Sequence, residues 1–380
     1  MAFNLFRFFN RNEVSVGIDI SDKSIKILAL NKQNGDKLLA EAFGYITIEE
    51  GIVENGRIVN AKKFSNALKE VFEKAQPKPI IPKKIFLAIP ESRTFINIYK
   101  VSSNLTDKDL KHKIRVLAAE SIPFNPSDLY FDFKEIYYDK KSEKKKILYV
   151  ASPKEIIDSY LNSFREIGAK TIIVDIESAS LARALIKKED KQESILILDM
   201  GARTTNTSII DRGEICSSAS FPFGGNHLTK VIATDLKLSF EEADRMKITL
   251  GLNKKVGDNK ILPILNSFCS PLIDEIKKEI DYYQAKNQRK IKAIIICGGS
   301  SLMAGIDAYL EDKIGIRVQR ANPWINWKIE INSKNGTMYL EKEAPILYAT
   351  VIGLALRGLE KNPKNVNINL VNFKGYSLGS

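Results

Sequence analysis

The sequence predicts a two-lobed α/β protein made by duplicating one β-β-β-α-β unit, and three observations predict it. Strand and helix patterns recur in the same order in two parts of the chain. The first strand of each copy ends in a carboxylate, Asp19 or Asp199, and a polar or glycine turn follows each. Runs such as Ile195 to Leu198 are short and unbroken, as strands covered on both faces are. A chain of 380 residues is also long enough for two cores.

In the first copy, Val14 to Ile20 is a strand ending near Asp19, and Ser21, Asp22, Lys23 and Ser24 make the turn. Ile25 to Leu30 is the second strand, Asn34-Gly35 a hairpin turn, and Lys37 to Ile46 the third strand. Ala61 to Ala75 is helical, because Phe64, Leu68, Val71 and Phe72 fall on one face, and Ile85 to Ile89 is a buried fourth strand. The second copy begins with Ile195 to Leu198, followed by Thr207 to Ile210, the turn Asp211-Arg212-Gly213, and Glu214 to Phe221. A helix over Asn226 to Leu236, a buried strand over Ala293 to Cys297, a helix over Met303 to Lys313 and a strand over Arg317 to Ala321 complete it. Met1 to Arg11, with four Phe, reads as an arm that packs on a sheet or touches lipid headgroups.

Each copy carries an insert. Between Pro90 and Lys170, a helix capped by Thr106, alternating Phe131 and Phe133, and a helix opened by Ser152-Pro153 give a β-α-β-β-α-β order that ends in Thr171 to Val174. The second insert is mainly helical, with a capping box from Ser239 to Glu242 and a helix opening at Ser270-Pro271. Glu343 to Gly358 has a mild helical pattern. The expected division is 1–90 with 171–193, an inserted interaction subdomain at 91–170, 194–226 with 293–360, a helical insert at 227–292, and a tail at 361–380.

Composition narrows the function. Hydrophobic residues at 44% and charged residues at 27% read as a soluble globular chain, and no apolar run approaches the ~20 residues of a membrane span. Cys216, Cys269 and Cys297 are too few and too scattered for a disulfide frame or zinc site, which favours a reducing compartment. Two histidines, His112 and His227, leave no set for a His-metal site or a Ser-His triad. The net charge of +12 has two readings, an acidic partner or general lysine richness, and the even spread of Lys favours the second. No nucleic-acid partner is expected.

The chemistry concentrates in the turns. Asp19 and Asp199 suit one hydrated Mg²⁺ held between two lobes. Gly201 admits close backbone approach, and Thr204 and Thr205 offer hydroxyl and N–H groups to phosphate oxygens. Gly298, Gly299 and Ser300 pass from a strand to a helix and can lie against a purine or an anion, and Gly224-Gly225 sits similarly. Asp244 and Lys247 face one way at i, i+3, the spacing of an ordinary ion pair.

Taken in this order, Asp19 to Lys26, Asp199 to Thr205 and Gly298 to Gly305 resemble the two phosphate motifs and the adenosine motif of the actin-like ATPase superfamily, over about residues 14 to 358. Within it the chain is most similar to the PilM family of type IV pilus assembly proteins, and next to the FtsA cell-division family. Ile122-Pro123-Phe124, Tyr130 to Lys134, Gly224 to Thr229 and Glu242 to Lys247 carry that likeness. The resemblance implies an actin-like fold of duplicated ribonuclease-H-like units that binds ATP and Mg²⁺. It places Asp19 and Asp199 at the metal, Ser21, Lys23, Ser24 and Lys26 at phosphates, and Gly201, Thr204 and Thr205 at the opposite phosphate face. Gly225, Asp244 and Lys247 would reach ribose and adenine, and Gly298, Gly299 and Ser300 the adenosine. Glu177 is its candidate base. Ser21 stands where the motif usually has Gly, so binding is more secure than hydrolysis.

The family's partner is the N-terminal peptide of a PilN-like inner-membrane protein, with a pattern near Ile-Asn-Leu-Leu-Pro, bound between the first lobe and the inserted module. Other platform components and a cytoplasmic, membrane-peripheral location are implied as well. Residues Ile368 to Val371 read Ile-Asn-Leu-Val, so this segment is expected in the same groove, in cis or on a neighbouring copy. The alternatives are an FtsA-like division protein, against which the Asn-rich tail ending in Gly379-Ser380 counts, and a small-molecule kinase of the same superfold, for which the inserts offer no base.

Overall fold

The architecture comes from a computed structural model, which describes residues 14–33, 37–254, 260–331, 345–363 and 367–371. The arm Met1 to Arg11 and the turn Asn34-Gly35 lie outside the described residues.

The first unit runs β1 (Ser15–Ile20), β2 (Ser24–Lys32), β3 (Leu38–Thr47), a small hairpin of β4 (Val53–Glu54) and β5 (Arg57–Ile58), α1 (Ala61–Glu73) and β6 (Lys84–Ile89). The inserted module follows as β7 (Phe95–Ser102), α2 (Asp107–Ser121), β8 (Leu129–Asp139), β9 (Lys144–Pro153) and α3 (Lys154–Glu166), and β10 (Thr171–Ile176) and α4 (Glu177–Leu185) return to the first unit. The second unit contains β11 (Ser194–Met200), β12 (Thr205–Asp211), β13 (Glu214–Phe221), α5 (Gly225–Leu236), α6 (Phe240–Thr249), α7 (Leu262–Asn287), β14 (Ala293–Cys297), α8 (Ile306–Ile314) and β15 (Val318–Arg320). The last elements are α9 (Pro323–Trp327), β16 (Ile329–Ile331) and α10 (Ala349–Gly358).

The duplication is visible in strand order. One sheet reads β10-β6-β1-β2-β3-β16 and the other β13-β12-β11-β14-β15. In both, the first strand pairs antiparallel with the second and parallel with the buried fourth. Sheets made this way are covered on both faces, which is why β1 and β11 are nearly continuous apolar runs until their carboxylates. Helix α1 buries Phe64, Leu68, Val71 and Phe72, and the Asn60 side chain caps it by accepting the Lys63 N–H at 3.0 Å.

Three placements differ from the sequence expectation. The inserted module forms a separate sheet, β7-β9-β8, while β10 pairs with β6, so the fourth and last strand of the expected β-α-β-β-α-β order belongs to the first sheet, where the expected division put residues 171–193. Strand β16 pairs with β3, and α10 packs on β1 and α4, so residues expected with 293–360 of the second lobe cross back to the first. Local periodicity gives an element's type but not which sheet it joins. Helix α7 starts at Leu262 and carries Pro271 inside it, because Leu265 and Cys269 extend its apolar stripe upstream of the proline.

Candidate functional site

The site forms where the strands of both sheets end. Asp19 on β1 sits opposite Lys26 on β2 in the antiparallel register, and Lys26 Nζ lies 3.1 Å from Asp19 Oδ2. Their side chains are only 10% and 14% exposed, so the pair is largely desolvated. Lys26 also donates to Ser24 Oγ at 3.4 Å. The turn between the strands is tied by Ser21, whose Oγ accepts from the N–H groups of Ser24 (3.1 Å) and Lys23 (3.4 Å). The Ser21 side chain thus takes up the N–H groups of its own turn.

Asp199, at the matching end of β11, is half-buried beside this pair. Burial, then the charges of Asp19 and Glu91, push its carboxyl up to about 7, against the pull of Lys26. Two further carboxyls close the cluster. Glu177 begins α4, directly after β10, and Glu91 follows β6. Glu177 is raised well above the carboxylate range by burial and then by Glu91 and Asp199, and burial raises Glu91 as well. Glu91 accepts the Ser178 N–H at 2.9 Å. The sequence reading singled out Glu177 but not Glu91, although Glu91 stands past a buried strand end as Asp19 and Asp199 do. Pro90 before it reads as the start of the insert, so the position was not taken as a strand tip.

The opposite wall comes from the second unit. The turn after β11 is closed by Gly201 N–H to Thr204 carbonyl at 2.9 Å, and Gly201 carbonyl accepts from Ser300 Oγ (2.7 Å) and Gly225 N–H (3.0 Å). Thr205 donates its hydroxyl to the Phe223 carbonyl at 2.7 Å. Two glycines are required for these approaches. Gly298 has φ +81°, and a Cβ there would collide with the Asp199 carboxylate and meet the Met200 carbonyl at 2.6 Å. A Cβ on Gly225 would collide with Ser300 Oγ.

Asp244 and Lys247 are not the ordinary solvated pair their spacing describes. Lys247 Nζ is buried and donates to Asp244 Oδ1 (2.6 Å), Thr229 Oγ1 (2.6 Å) and the Gly225 carbonyl (3.1 Å). Burial lowers the Lys247 ammonium, whereas at Asp244 burial is outweighed by Lys247 and Thr229, which hold the carboxyl below its usual range. The pair therefore locks α6 onto the N-terminus of α5. Gly299 meets no such constraint, since a Cβ there would reach only Leu347 at 3.9 Å.

Side chains bridge the two walls. Lys23 Nζ donates to Asn226 Oδ1 at 2.8 Å, and Arg203 Nε pairs with Asp22 Oδ2 at 2.8 Å. Asp22, Arg203 and Asn226 were not among the predicted site residues, though all lie in the motifs that were. A cavity of about 420 Å³, lined by Glu91, Thr94, Thr204, Ser218 and Ser220, opens beside the cluster. Among the described residues no group of three or more His, Cys, Asp or Glu side chains could hold a metal by itself. The pair Asp19 and Asp199 would suit Mg²⁺, because that ion keeps several waters and takes its remaining ligands from phosphates.

The charge cluster has a consequence in the protein stripped of nucleotide and divalent cations. An unfolded Asp titrates near ~3.9, and Asp199 is raised to about 7 in the fold. Between those values the folded state binds the extra proton, so this group favours folding as pH falls from 8 to 5 and opposes it when ionised above 7. Urea unfolding in EDTA should show Asp199→Asn gaining most over the wild type at pH 8, less at pH 5, and nothing once the pH is below the unfolded value of ~3.9. Parallel stability profiles would mean that Asp199 does not titrate there.

The model of the family "Type IV pilus assembly protein PilM" matches residues 17–359. The chain is 21% identical over 344 residues to the cell division protein FtsA of Streptococcus pneumoniae, covering 80% of this chain and 74% of that protein. Among solved structures, a PilM-PilN type IV pilus biogenesis complex superposes with a TM-score of 0.75 at 21% identity, covering 91% of this chain and 98% of that one. MreB 5 of Spiroplasma citri bound to AMPPNP follows with a TM-score of 0.51 at 17% identity, covering 87% and 98%. These likenesses establish the actin-like fold.

Proposed function

This chain belongs to the PilM family of type IV pilus assembly proteins, and on that premise we propose that it is a nucleotide-responsive adaptor that binds Mg-ATP and a PilN-like membrane partner. The observation that carries the reading is the convergence of Asp19 and Asp199 on opposite lobes around one buried lysine, Lys26. A polyphosphate between them would be met by Lys26 and Lys23 from one side and by the 201–204 turn from the other. Mg²⁺ would neutralise the charge that Asp19 and Asp199 add to the phosphates. Gly225, Asp244, Lys247 and the 298–300 turn would frame the nucleoside. Support comes from MreB 5, solved with AMPPNP on the same fold.

Glu177 is poorly set for proton abstraction. Desolvation and the neighbouring Glu91 and Asp199 carboxyls raise it well above its ordinary value, which favours the protonated form, and a protonated carboxyl orients a water by donating to it instead of activating it. Slow turnover at most is the expectation, and the nucleotide acts chiefly by its presence.

The inserted module, residues 91–170, is the part that reports lobe position. It touches the second lobe through Lys134 Nζ to Glu214 Oε1 at 2.9 Å and through Arg212 stacked over Tyr137 at 5.1 Å. Nucleotide that biases lobe closure therefore also biases the module. The PilM-PilN complex is the structural neighbour that supports a PilN-like partner. Among the described residues no helix is long and apolar enough to cross a membrane, so the partner would supply the attachment to the inner membrane. Synthetic N-terminal peptides of inner-membrane pilus proteins, immobilised and presented with and without Mg-ATP, test this. Retention that changes at least threefold with Mg-ATP is expected, while retention indifferent to nucleotide would leave no adaptor switch.

A further inference from the structure

Residues Asn367–Val371 lie in the body of the protein as a bound peptide would. They run between β10, the edge strand of the first sheet, and β8 of the inserted module. Leu370 N–H donates to the Val174 carbonyl at 3.0 Å. Asn369 does two things, accepting the Val174 N–H on its Oδ1 at 3.2 Å and donating its own N–H to Asp132 Oδ2 at 2.9 Å. Arg357 clamps the other side, with its guanidinium donating to the carbonyls of Asn367 and Ile368. Ile368 and Leu370 are 0% and 1% exposed. An edge strand that lends backbone bonds, apolar sockets for alternate side chains and polar groups that fix register are the features of strand-addition peptide recognition.

We propose that this groove is a peptide site filled in cis, and that segment 367–371 is an intramolecular ligand setting the threshold any external peptide must overcome. The competitor it admits is a short segment with the Ile-Asn-Leu pattern. The inference deepens the adaptor reading and rests on it only for the source of that competitor. A short tether holds its end at an effective concentration of roughly 1 mM, so a groove with an intrinsic Kd of about 10 μM would bind a free peptide ~100-fold more weakly while its own segment is in place. Strand β10 ends one residue before Glu177, so the same strand that pairs with the segment leads into the carboxyl cluster.

The test uses the full chain with a specific protease site inserted at residues 364–366, and a fluorescent peptide Asn-Ile-Asn-Leu-Val copied from 367–371. Uncut protein should bind the peptide feebly. After cleavage and dialysis the Kd should fall at least about tenfold, with ATP affinity unchanged as the control of fold. Uncut Leu370→Ser should show the same gain. Equal affinity before and after cutting, no binding to the cut protein, or a cut segment that never leaves would each overturn the proposal. A dimer that grows with concentration and dissolves on cutting would place the segment on a neighbouring copy and overturn occupancy in cis. Because the probe is the chain's own sequence, these outcomes do not depend on whether a membrane protein binds.

Discussion

Replacing Arg357 with methionine is expected to lower the unfolding free energy by about 3–5 kcal/mol, the usual cost of removing one partner from a buried ion pair. Arg357 is 0% exposed, and so is the Asp175 carboxylate that it meets at 2.7 Å. Its remaining donors reach the carbonyls of Pro363, Asn367 and Ile368. Asp175 keeps one other cation, Arg183 at 3.2 Å, which also holds Glu360 at 3.4 Å. Methionine fills similar volume, so the loss comes from a carboxylate with half its neutralisation and from carbonyls left without donors. Lysine should rescue little, because a single ammonium cannot serve several acceptors in the plane that the guanidinium fork covers. Urea denaturation reads the effect as a fall in midpoint at constant slope. Arg357→Met combined with Asp175→Asn should cost less than Arg357→Met alone, since the double change removes both charges together. A midpoint within experimental scatter of wild type would show that the network contributes specificity without stability.

The same network marks where sequence reasoning stops. Asp175 in a buried strand and Arg357 in an apolar helix were not singled out in the sequence, because nothing local pairs one with the other. The crossing of β16 and α10 to the first sheet escaped for that reason too. What was legible was local and repeated: the acid-tipped strands β1 and β11, the capped helices, and the turns at Ser21 and Gly298. Glu91 was lost because its strand end leads into an insert, whereas the equivalent ends of β1 and β11 lead into hairpins. Lys247 was named as a site residue only through the family resemblance, since i, i+3 spacing from Asp244 carries no information on the Gly225 and Thr229 atoms that bury it. Segment 367–371 was legible only through its Ile-Asn-Leu pattern, and its contacts with Val174 and Asp132 needed the assembled first lobe and module.

Lys26→Met is expected to weaken ATP binding by about 3 kcal/mol, roughly 100-fold, as when one partner of a buried, hydrogen-bonded charge pair is removed. Lys26 pairs with Asp19 and its charge acts on Asp199, and phosphate brought there adds more negative charge to a cluster of carboxyls. Without this lysine, Mg²⁺ and the more exposed Lys23 must offset it. The substitution also strains the protein without ligand, because Asp19 loses its 3.1 Å partner in a largely desolvated position. Those two effects can be separated. Adding Asp19→Asn to Lys26→Met should return most of the lost stability by removing the stranded charge, yet it should leave ATP affinity low. Titration with a fluorescent ATP analogue in Mg²⁺ gives the affinity, and urea unfolding in EDTA gives the stability. If Lys26→Met binds ATP as wild type does, the phosphates do not lie between the two acid-tipped strands, and the nucleotide site must be sought elsewhere in the fold. If the double variant regains affinity along with stability, Lys26 acts only by holding Asp19, and the phosphate contact falls to Lys23 and the backbone of the 201–204 turn.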